Sequence, residues 1–280
     1  MKTVFLSDID DALAAPYSRL TEAQLKRAGD APCGLFIAES LNVISAAAEA
    51  GFTPVSFLAE EKRIPSIDES FGELFPDVPI LTAPPEELAR LTGFSLSRGV
   101  LCAMERKPLP SLGEVLDGAE RVAVLEGIVD PANVGSIMRS ASALGMDAVL
   151  VAANCCDPLH RRAARVSMGG VFRIPYTVLP CIEGCANSAD IGLLHEFGFT
   201  AAAMALDVDS IGLEDERIAG ARKLALVFGT EGTGLSAETL SACDIKVMIP
   251  MQNGMDSLNA AASAAIAFWE TGKQKRRLRG

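Results

Sequence analysis

An asparagine and an arginine that follow an apolar strand could act together on a bound ligand. The segment LEGIVDPANVGSIMRSASALG, residues 125–145, contains a strand end, Asp130, Pro131 and then a helix that begins near Asn133 or Val134. Arg139 follows Asn133 by less than two helical turns, so it can point towards the strand ends, where open α/β sheets bind ligands. On spacing alone, a helix cap at Asn133 followed by a solvated arginine explains the segment equally well.

A glycine-rich loop follows a second apolar strand. LALVFGTEGTGLSAETL spans residues 224–240, and its closely spaced glycines, with Thr230 and Glu231 between them, allow a tight backbone turn against a small molecule. The loop is neither G-x-G-x-x-G nor a P-loop, so the sequence does not support a dinucleotide or ATP site. An ordinary glycine turn with a surface glutamate is the structural alternative.

A third segment places small polar residues at the start of the last helix. VMIPMQNGMDSLNAAASAAIAF, residues 247–268, reads as a strand ending at Pro250, a loop, and a helix from Ser257 to Thr271. Spacing alone makes Ser257 and Asn259 helix caps rather than catalytic groups. The run of alanines gives the helix a narrow surface for close packing.

Apolar strands separated by helices surround these three segments. From residue 121 onwards, strands are predicted in RVAVLEGI, DAVLVAA, FRIPYTVLP, FTAAAMALD, KLALVFGT and DIKVMIPM. Near-continuous apolar strands alternating with helices are typical of a parallel sheet that is covered on both faces. The first part of the chain repeats the theme in GLFIAES, PVSFLAE, VPILT and GVLCAME, with helices after the first and third of these.

The sequence therefore predicts an α/β protein with two domains. A smaller N-terminal α/β domain covers residues 1–107, a segment with two prolines and two glycines forms a linker over 108–118, and the second domain covers 119–280.

Composition excludes several classes of protein. The chain has 280 residues with a formal net charge of −11 and 5% aromatic residues, which argues against a broad basic nucleic-acid-binding surface and against aromatic base-stacking platforms. The longest uncharged apolar run, 258–269, is too short to span a membrane. Seven cysteines and the absence of a signal-like start favour a reducing cytoplasm.

Together, and in this order, the three segments resemble the signature motifs of the SpoU/TrmH family of RNA ribose 2′-O-methyltransferases, within the SPOUT class. The matching stretches are DPANVGSIMRSASALG, FGTEGTGLS and IPMQNGMDSLNAAASAA, and RRAARVSMGGVFRIP resembles the family's link between the first two motifs. The N-terminal part resembles the family's substrate-binding domain, although Ser40 stands where the family usually has glycine.

The resemblance implies a SPOUT-type parallel sheet whose C-terminal segment forms a trefoil knot, one of the rare exceptions to the rule against knots. It also implies a homodimer with active sites shared across the interface, and S-adenosylmethionine (SAM) as the cofactor. The implied cofactor-binding residues are Gly229, Thr230, Glu231, Gly232, Ile249, Met251, Leu258 and Asn259.

The implied reaction is methyl transfer to a ribose 2′-hydroxyl of tRNA or rRNA, a weak acid that needs in-line positioning and help with proton removal. The resemblance assigns catalytic roles to Arg139, Asn133, Glu231, Ser257 and Asn259. Arg139 is either the base or a charged group that holds the phosphate and stabilises the developing alkoxide, and the high pKa typical of arginine makes the first role costly. The chemistry requires no metal.

Local basic clusters would have to bind RNA on this acidic chain. Arg161, Arg162 and Arg165, together with Arg139, are the candidate RNA-contacting residues, and the tail KQKRRLRG adds five basic residues. Salt bridges on a helix surface and a solubilising tail are the alternatives. A 2′-hydroxyl target means RNA and not DNA.

Two other functions compete with this interpretation. The same scaffold could serve a non-catalytic RNA-binding protein, but Arg139, Glu231 and Asn259 are all present. A nucleotide-dependent oxidoreductase would need G-x-G-x-x-G after an early strand, which the chain lacks. Cys155, Cys156, Cys181 and Cys185 are spaced poorly for zinc, so we interpret them as small buried thiols.

Overall fold

The computed structural model describes residues 1–6, 12–18, 20–28, 32–96, 99–185, 187–253 and 256–279, with side chains as far as residue 272. The chain divides into two compact units, which are described separately. The first contains Met1–Pro108 and Leu159–Phe172, and the second contains Leu109–Pro158 and Arg173–Gly280.

The first unit is an α/β structure built on a five-stranded mixed sheet. Its strand order is β1-β4-β3-β5-β2, with β5 antiparallel to both of its neighbours. The strands are β1 (Thr3–Phe5), β2 (Leu35–Glu39), β3 (Pro54–Ala59), β4 (Ile80–Thr82) and β5 (Val100–Glu105). The helices before residue 109 are α1 (Ala15–Ser18), α2 (Glu22–Leu25), α3 (Leu41–Glu49), α4 (Ile64–Phe71) and α5 (Pro85–Thr92), with 3₁₀ turns at Ala12–Ala14 and Glu61–Arg63.

Both faces of this sheet are apolar, because successive side chains of a strand point to opposite sides. On β2, Leu35 and Ile37 belong to the buried cluster that includes the leucines of α5. Phe36 between them packs on Phe52 and Phe172, with ring centroids 5.3 and 5.8 Å away. Phe172 thus attaches the 159–172 segment to the first unit, whereas the sequence places that segment in the second domain.

The elements after residue 108 belong to the second unit except for α8 and the 3₁₀ turn Gly170–Phe172. They are α6 (Leu112–Leu116), β6 (Arg121–Leu125), α7 (Pro131–Leu144), β7 (Ala148–Ala152), α8 (Arg161–Val166), β8 (Tyr176–Leu179), α9 (Gly192–Glu196), β9 (Thr200–Met204), β10 (Ile211–Gly212), α10 (Glu216–Gly220), β11 (Leu224–Phe228), α11 (Ala237–Ala242), β12 (Ile245–Met248) and α12 (Ala260–Arg279). Helix α6 lies within the predicted linker 108–118.

The second unit confirms the predicted parallel sheet. Its strand order is β10-β12-β9-β11-β6-β7-β8, and each of the paired strands is parallel to its neighbour. Every residue of β6, β7 and β11 is buried, as expected for strands covered on both faces. Helices α7 and α12 pack against each other. This topology brings the carboxyl ends of β9, β11 and β12 side by side.

Candidate active site

A cavity of about 390 Å³ lies at the carboxyl ends of β9, β11 and β12, within the range of small-molecule sites. The loops after β11 and β12 supply most of its walls. Seven of the eight predicted cofactor-binding residues line it, namely Gly229, Thr230, Glu231, Gly232, Ile249, Met251 and Leu258. The eighth, Asn259, is hydrogen-bonded to Glu231.

The loop over residues 229–234, here called the glycine loop, closes on itself. The backbone amides of Thr230 and Gly234 each donate to the other's carbonyl at 3.1 Å, and the Thr230 hydroxyl accepts from the Thr233 amide at 3.1 Å. A Cβ at Gly229 would lie 2.4 Å from the backbone carbon of Gly234. Glycine is required there because the two backbone segments approach too closely for any side chain.

Three side chains meet at the edge of this cavity. Glu231 Oε1 accepts hydrogen bonds from Asn133 Nδ2 at 2.8 Å and from Asn259 Nδ2. Asn259 Nδ2 also donates to Asn133 Oδ1 at 2.9 Å, so the three groups form a closed ring of contacts. The sequence selects all three residues, and the structure brings one from each motif together. We call them the Asn–Glu–Asn cluster.

The cap of the helix that carries Asn133 differs from the predicted one. Asp130 caps α7 by accepting from the Ala132 amide at 3.1 Å, and Pro131 is the first helical residue. The prediction of Asn133 as the cap was wrong, because a better acceptor lies ahead of the proline, which is favoured at the first helical position. The Asn133 side chain is therefore available to Glu231.

The last helix begins at Ala260 rather than at the predicted Ser257. Asn259 Oδ1 accepts from the amides of Ala261 and Ala262 at 3.0 and 3.3 Å, so Asn259 caps the helix while its amide group donates to the cluster. Ser257 is exposed and lines the cavity instead.

Arg139 is the one catalytic candidate that the structure does not bring to the cluster or the cavity. Its side chain is exposed on α7, and within the part of the chain that the structure describes it makes no hydrogen bond or ion pair. It lies six positions after Asn133 on the helix, which places it about 120° away around the helix axis. In a single chain, Arg139 therefore faces away from Asn133.

Apart from Arg139, the candidate RNA-binding arginines lie in the first unit, where two of them pair with one glutamate. Arg165 Nη1 lies 2.9 Å from Glu39 Oε1, and Arg161 Nε lies 3.9 Å from Glu39 Oε2. The Arg161 guanidinium also lies over the Phe94 ring, 4.5 Å from its centroid. Arg162 is exposed, and over the described ranges it has no ion pair. Glu39 thus already offsets part of the positive charge of Arg161 and Arg165.

One wall of the cavity is formed by residues that were not predicted from the sequence. Met204, Ala205 and Leu206, at the end of β9, line it. A usable signal was present, because β9 was predicted as a strand and the carboxyl ends of neighbouring parallel strands share one edge of the sheet. Asp256 and Ser263 also line the cavity, on either side of the cap of α12.

Among the described residues, no group of three or more His, Cys, Asp and Glu side chains is arranged to hold a metal ion. None of the helices in the described part is both long and apolar enough to cross a membrane. The backbone of the basic tail continues α12 to Arg279, and its side chains lie outside the described residues.

Solved structures share this fold at low sequence identity. An AdoMet-bound rRNA methyltransferase from Sinorhizobium meliloti superposes with a TM-score of 0.79 at 20% identity, covering 97% of this chain and 98% of that one. The SpoU methyltransferase AviRb from Streptomyces viridochromogenes gives a TM-score of 0.75 at 24% identity, covering 95% and 98%.

Sequence relatives are similar over most of the chain. An uncharacterized tRNA/rRNA methyltransferase of Mycobacterium bovis is 39% identical over 253 residues, which are 88% of this chain and 84% of that protein. The 23S rRNA (guanosine-2′-O-)-methyltransferase RlmB of Nitrosomonas europaea is 30% identical over 68% of this chain and 71% of its own length. The family model described as the SpoU rRNA Methylase family matches residues 120–269, which include all three motifs and the whole Asn–Glu–Asn cluster. The chain therefore belongs to the SpoU family of RNA methyltransferases.

Proposed function

We propose that this protein transfers a methyl group from SAM to a ribose 2′-hydroxyl of rRNA or tRNA. The observation that carries the proposal is the Asn–Glu–Asn cluster at the edge of the cavity, since it joins one polar side chain from each of the three motifs. The similarity to a 23S rRNA 2′-O-methyltransferase supports the 2′-hydroxyl as acceptor and makes rRNA the first substrate to test.

The cavity fits SAM. Phe228, Ile249 and Leu258 offer apolar contacts, while Thr230 and Ser257 offer hydrogen-bonding groups. The space that a Cβ at Gly229 would fill is occupied by the backbone of Gly234, so the glycine loop forms a compact wall that only this glycine permits. When bound, SAM supplies an activated methyl group on a sulfonium.

The chain's own residues would position the acceptor. Glu231 is held by two side-chain amides, so its carboxylate has a defined direction and can orient a ribose hydroxyl. Ser257, exposed at the cavity, is placed to contact the same hydroxyl. A guanidinium remains charged in proteins, so we assign Arg139 to phosphate binding and stabilisation of the developing alkoxide rather than to proton removal.

We further propose that the protein is a homodimer in which Arg139 serves the partner's site. On α12, Ala262, Ile266 and Trp269 form one exposed stripe, and Ile266 and Trp269 are 40% and 52% exposed. This stripe gives a second copy an apolar face next to α7, the helix that carries Arg139. The exposed position of Arg139, away from its own Asn133, is what such sharing requires. The C-terminal knot stays a prediction from the family.

Mixing two inactive variants tests the sharing. Arg139→Ala and Asn259→Asp damage different sites if Arg139 acts across the interface, so a heterodimer of the two retains one intact site. Random exchange of subunits should restore about a quarter of wild-type methyl transfer. Absence of any restoration, with subunit exchange confirmed by mass spectrometry, would show that each chain uses its own Arg139.

Ligand-induced stabilisation tests the choice of cofactor. SAM and its demethylated product should raise the melting temperature in proportion to the logarithm of their concentration, and NAD should not. The chain has seven cysteines, an odd number, and no disulfide joins them in the described part of the chain; we propose the cytoplasm as the place of action.

A further inference from the structure

A buried glutamate follows β6 and lies behind the glycine loop. Glu126 is the residue after Leu125, the last of β6, and is 3% exposed. Charged side chains are almost never this deeply buried unless their polar atoms have partners. The resemblance to known methyltransferases assigned no role to this position, and Glu126 does not line the cavity.

Both carboxylate oxygens of Glu126 accept hydrogen bonds from distant parts of the chain. Oε1 accepts from the Ser236 amide at 2.8 Å, while Oε2 accepts from the Ala189 amide at 2.7 Å and from the Thr239 hydroxyl. Ser236 is the N-cap of α11 and follows the glycine loop by two residues. The carboxylate therefore holds the point at which the glycine loop ends.

The backbone next to this carboxylate holds the point at which the glycine loop begins. The Glu126 amide donates to the carbonyl of Phe228, the residue before Gly229, at 2.9 Å. A Cβ at Gly127 would lie 2.7 Å from Thr230 Cγ2, so the loop also rests closely on the backbone that follows Glu126. Both ends of the loop are thus attached to one residue at the end of β6.

We propose that Glu126 is a positioning residue that fixes both ends of the glycine loop and thereby preforms the cofactor cavity. The inference rests on the proposed function in one respect, that the cavity binds SAM. A preformed wall lowers the ordering cost of binding, so the contribution of Glu126 appears as cofactor affinity.

The arrangement requires a carboxylate rather than an amide. Two of its donors are backbone amides, from Ser236 and Ala189, and they bind different oxygens. A glutamine offers one oxygen and one NH2 group, so one of the two backbone amides would face another donor. The Thr239 hydroxyl could reverse its role, but a backbone amide cannot.

The first test compares Glu126→Gln with Glu238→Gln. Glu238 is the control because it is a glutamate on α11, next to Thr239, that does not contact the glycine loop through Ser236. It accepts a hydrogen bond from the Ser188 hydroxyl at 3.2 Å. In the ligand-free protein, the Ser236 amide of Glu126→Gln should exchange with deuterium about tenfold faster or more, while β7 keeps its protection. Its dissociation constant for SAM, measured by calorimetry, should rise about tenfold or more, and Glu238→Gln should match wild type. Unchanged affinity and unchanged exchange in Glu126→Gln would overturn the proposal.

A second pair of variants tests the hydrogen bond from the Ser236 amide to Glu126 if Glu126→Gln does not fold. Ser236 has φ of −63°, which proline adopts without strain. Ser236→Pro removes the amide donor together with the cap, whereas Ser236→Ala removes only the cap. We expect Ser236→Pro to bind SAM about tenfold more weakly than Ser236→Ala, and equal affinities would overturn the role of this bond. Failure of the wild type to bind SAM would contradict the proposed function, while the exchange comparison would still decide whether Glu126 holds the loop.

Discussion

Asn133 Nδ2 donates to Glu231 Oε1 at 2.8 Å although 98 residues separate the two side chains in the sequence. Asn259, which caps the last helix, donates to the same oxygen. The carboxylate of Glu231 is therefore the point at which the three motifs meet. Each motif is ambiguous by itself, because a helix cap or a surface turn would explain it, and their contact is what indicates a site.

Asn259→Asp should separate the catalytic role of Asn259 from its structural role. Aspartate keeps the oxygen that caps α12 but loses the amide that donates to Glu231 and Asn133, and it places a second negative charge beside Glu231. Loss of hydrogen bonding to a charged group should lower methyl transfer by about 10- to 100-fold.

Asn259→Ala is the matched control, because it removes both the cap and the donor. Its melting temperature should fall below that of Asn259→Asp, since a lost cap costs about 1 kcal/mol. An aspartate variant with wild-type activity would show that the cluster does not position the acceptor.

Gly229→Ala should force the backbone of the glycine loop out of its observed conformation. A Cβ there would lie 2.4 to 2.5 Å from backbone atoms of Gly234 and Leu235, and a flexible side chain cannot relieve such a contact. We expect SAM affinity, measured by calorimetry, to fall about 100-fold. Gly220→Ala is the control away from the cavity, because a Cβ at Gly220 would have no protein atom within 4 Å. Equal losses in both variants would contradict this explanation.

Much of the fold and of the site could be predicted from the sequence because both depend on local patterns. The buried runs of β6, β7 and β11 specify a parallel sheet, and a parallel sheet gathers the ends of its strands at one edge. The residues selected from the motifs therefore had to lie near one another if the strands were adjacent. Seven of the eight predicted cofactor-binding residues line the cavity for this reason.

The remainder depends on partners that no local pattern identifies. Asp130, and not Asn133, caps α7. The sequence around Asn133 gives no sign that its side chain binds Glu231 instead. Glu126 looks like the polar end of a strand, and its partners are 63 to 113 residues away. Long-range hydrogen bonds of this kind leave no periodic signal in the sequence.

Ser40→Gly should stabilise the first unit. Ser40 has φ of 86° and ψ of 146°, a conformation that favours glycine, and it stands where the resemblance predicts glycine. Relief of this strain should raise the free energy of unfolding by about 1 kcal/mol in urea denaturation. Ser45→Gly in the middle of α3 is the opposite control, since glycine in a helix should lower that free energy by a similar amount. A destabilised Ser40→Gly would show that the serine makes a compensating interaction.

Arg162→Ala should weaken RNA binding more than the loss of a paired surface arginine. Arg162 is exposed, while Arg90 already pairs with Glu87 at 2.9 Å. If Arg162 contacts a phosphate, its removal should reduce the slope of log affinity against log salt by about one, and Arg90→Ala should not. An unchanged slope would remove Arg162 from the RNA interface.

The Cys155 thiol should resist alkylation at neutral pH. Burial raises its pKa to about 11, although hydrogen bonds from the Ile128 and Gly127 amides act in the opposite direction. Because the thiolate is the reactive form, labelling by iodoacetamide should increase about tenfold per pH unit below that pKa. Peptide mass spectrometry over pH 7 to 9 measures this dependence, and labelling that is complete at pH 7 would contradict it.

The most direct test of the central claim is methyl transfer to RNA with identification of the product. Purified protein is incubated with labelled SAM and total RNA from a strain that lacks the gene, and the modified nucleoside is identified by mass spectrometry, with Arg139→Ala as the control. We expect label in a 2′-O-methyl nucleoside, and its loss in the variant. Label in a base-methylated nucleoside, or no transfer to any RNA despite measurable SAM binding, would contradict the proposed 2′-O-methyltransferase activity.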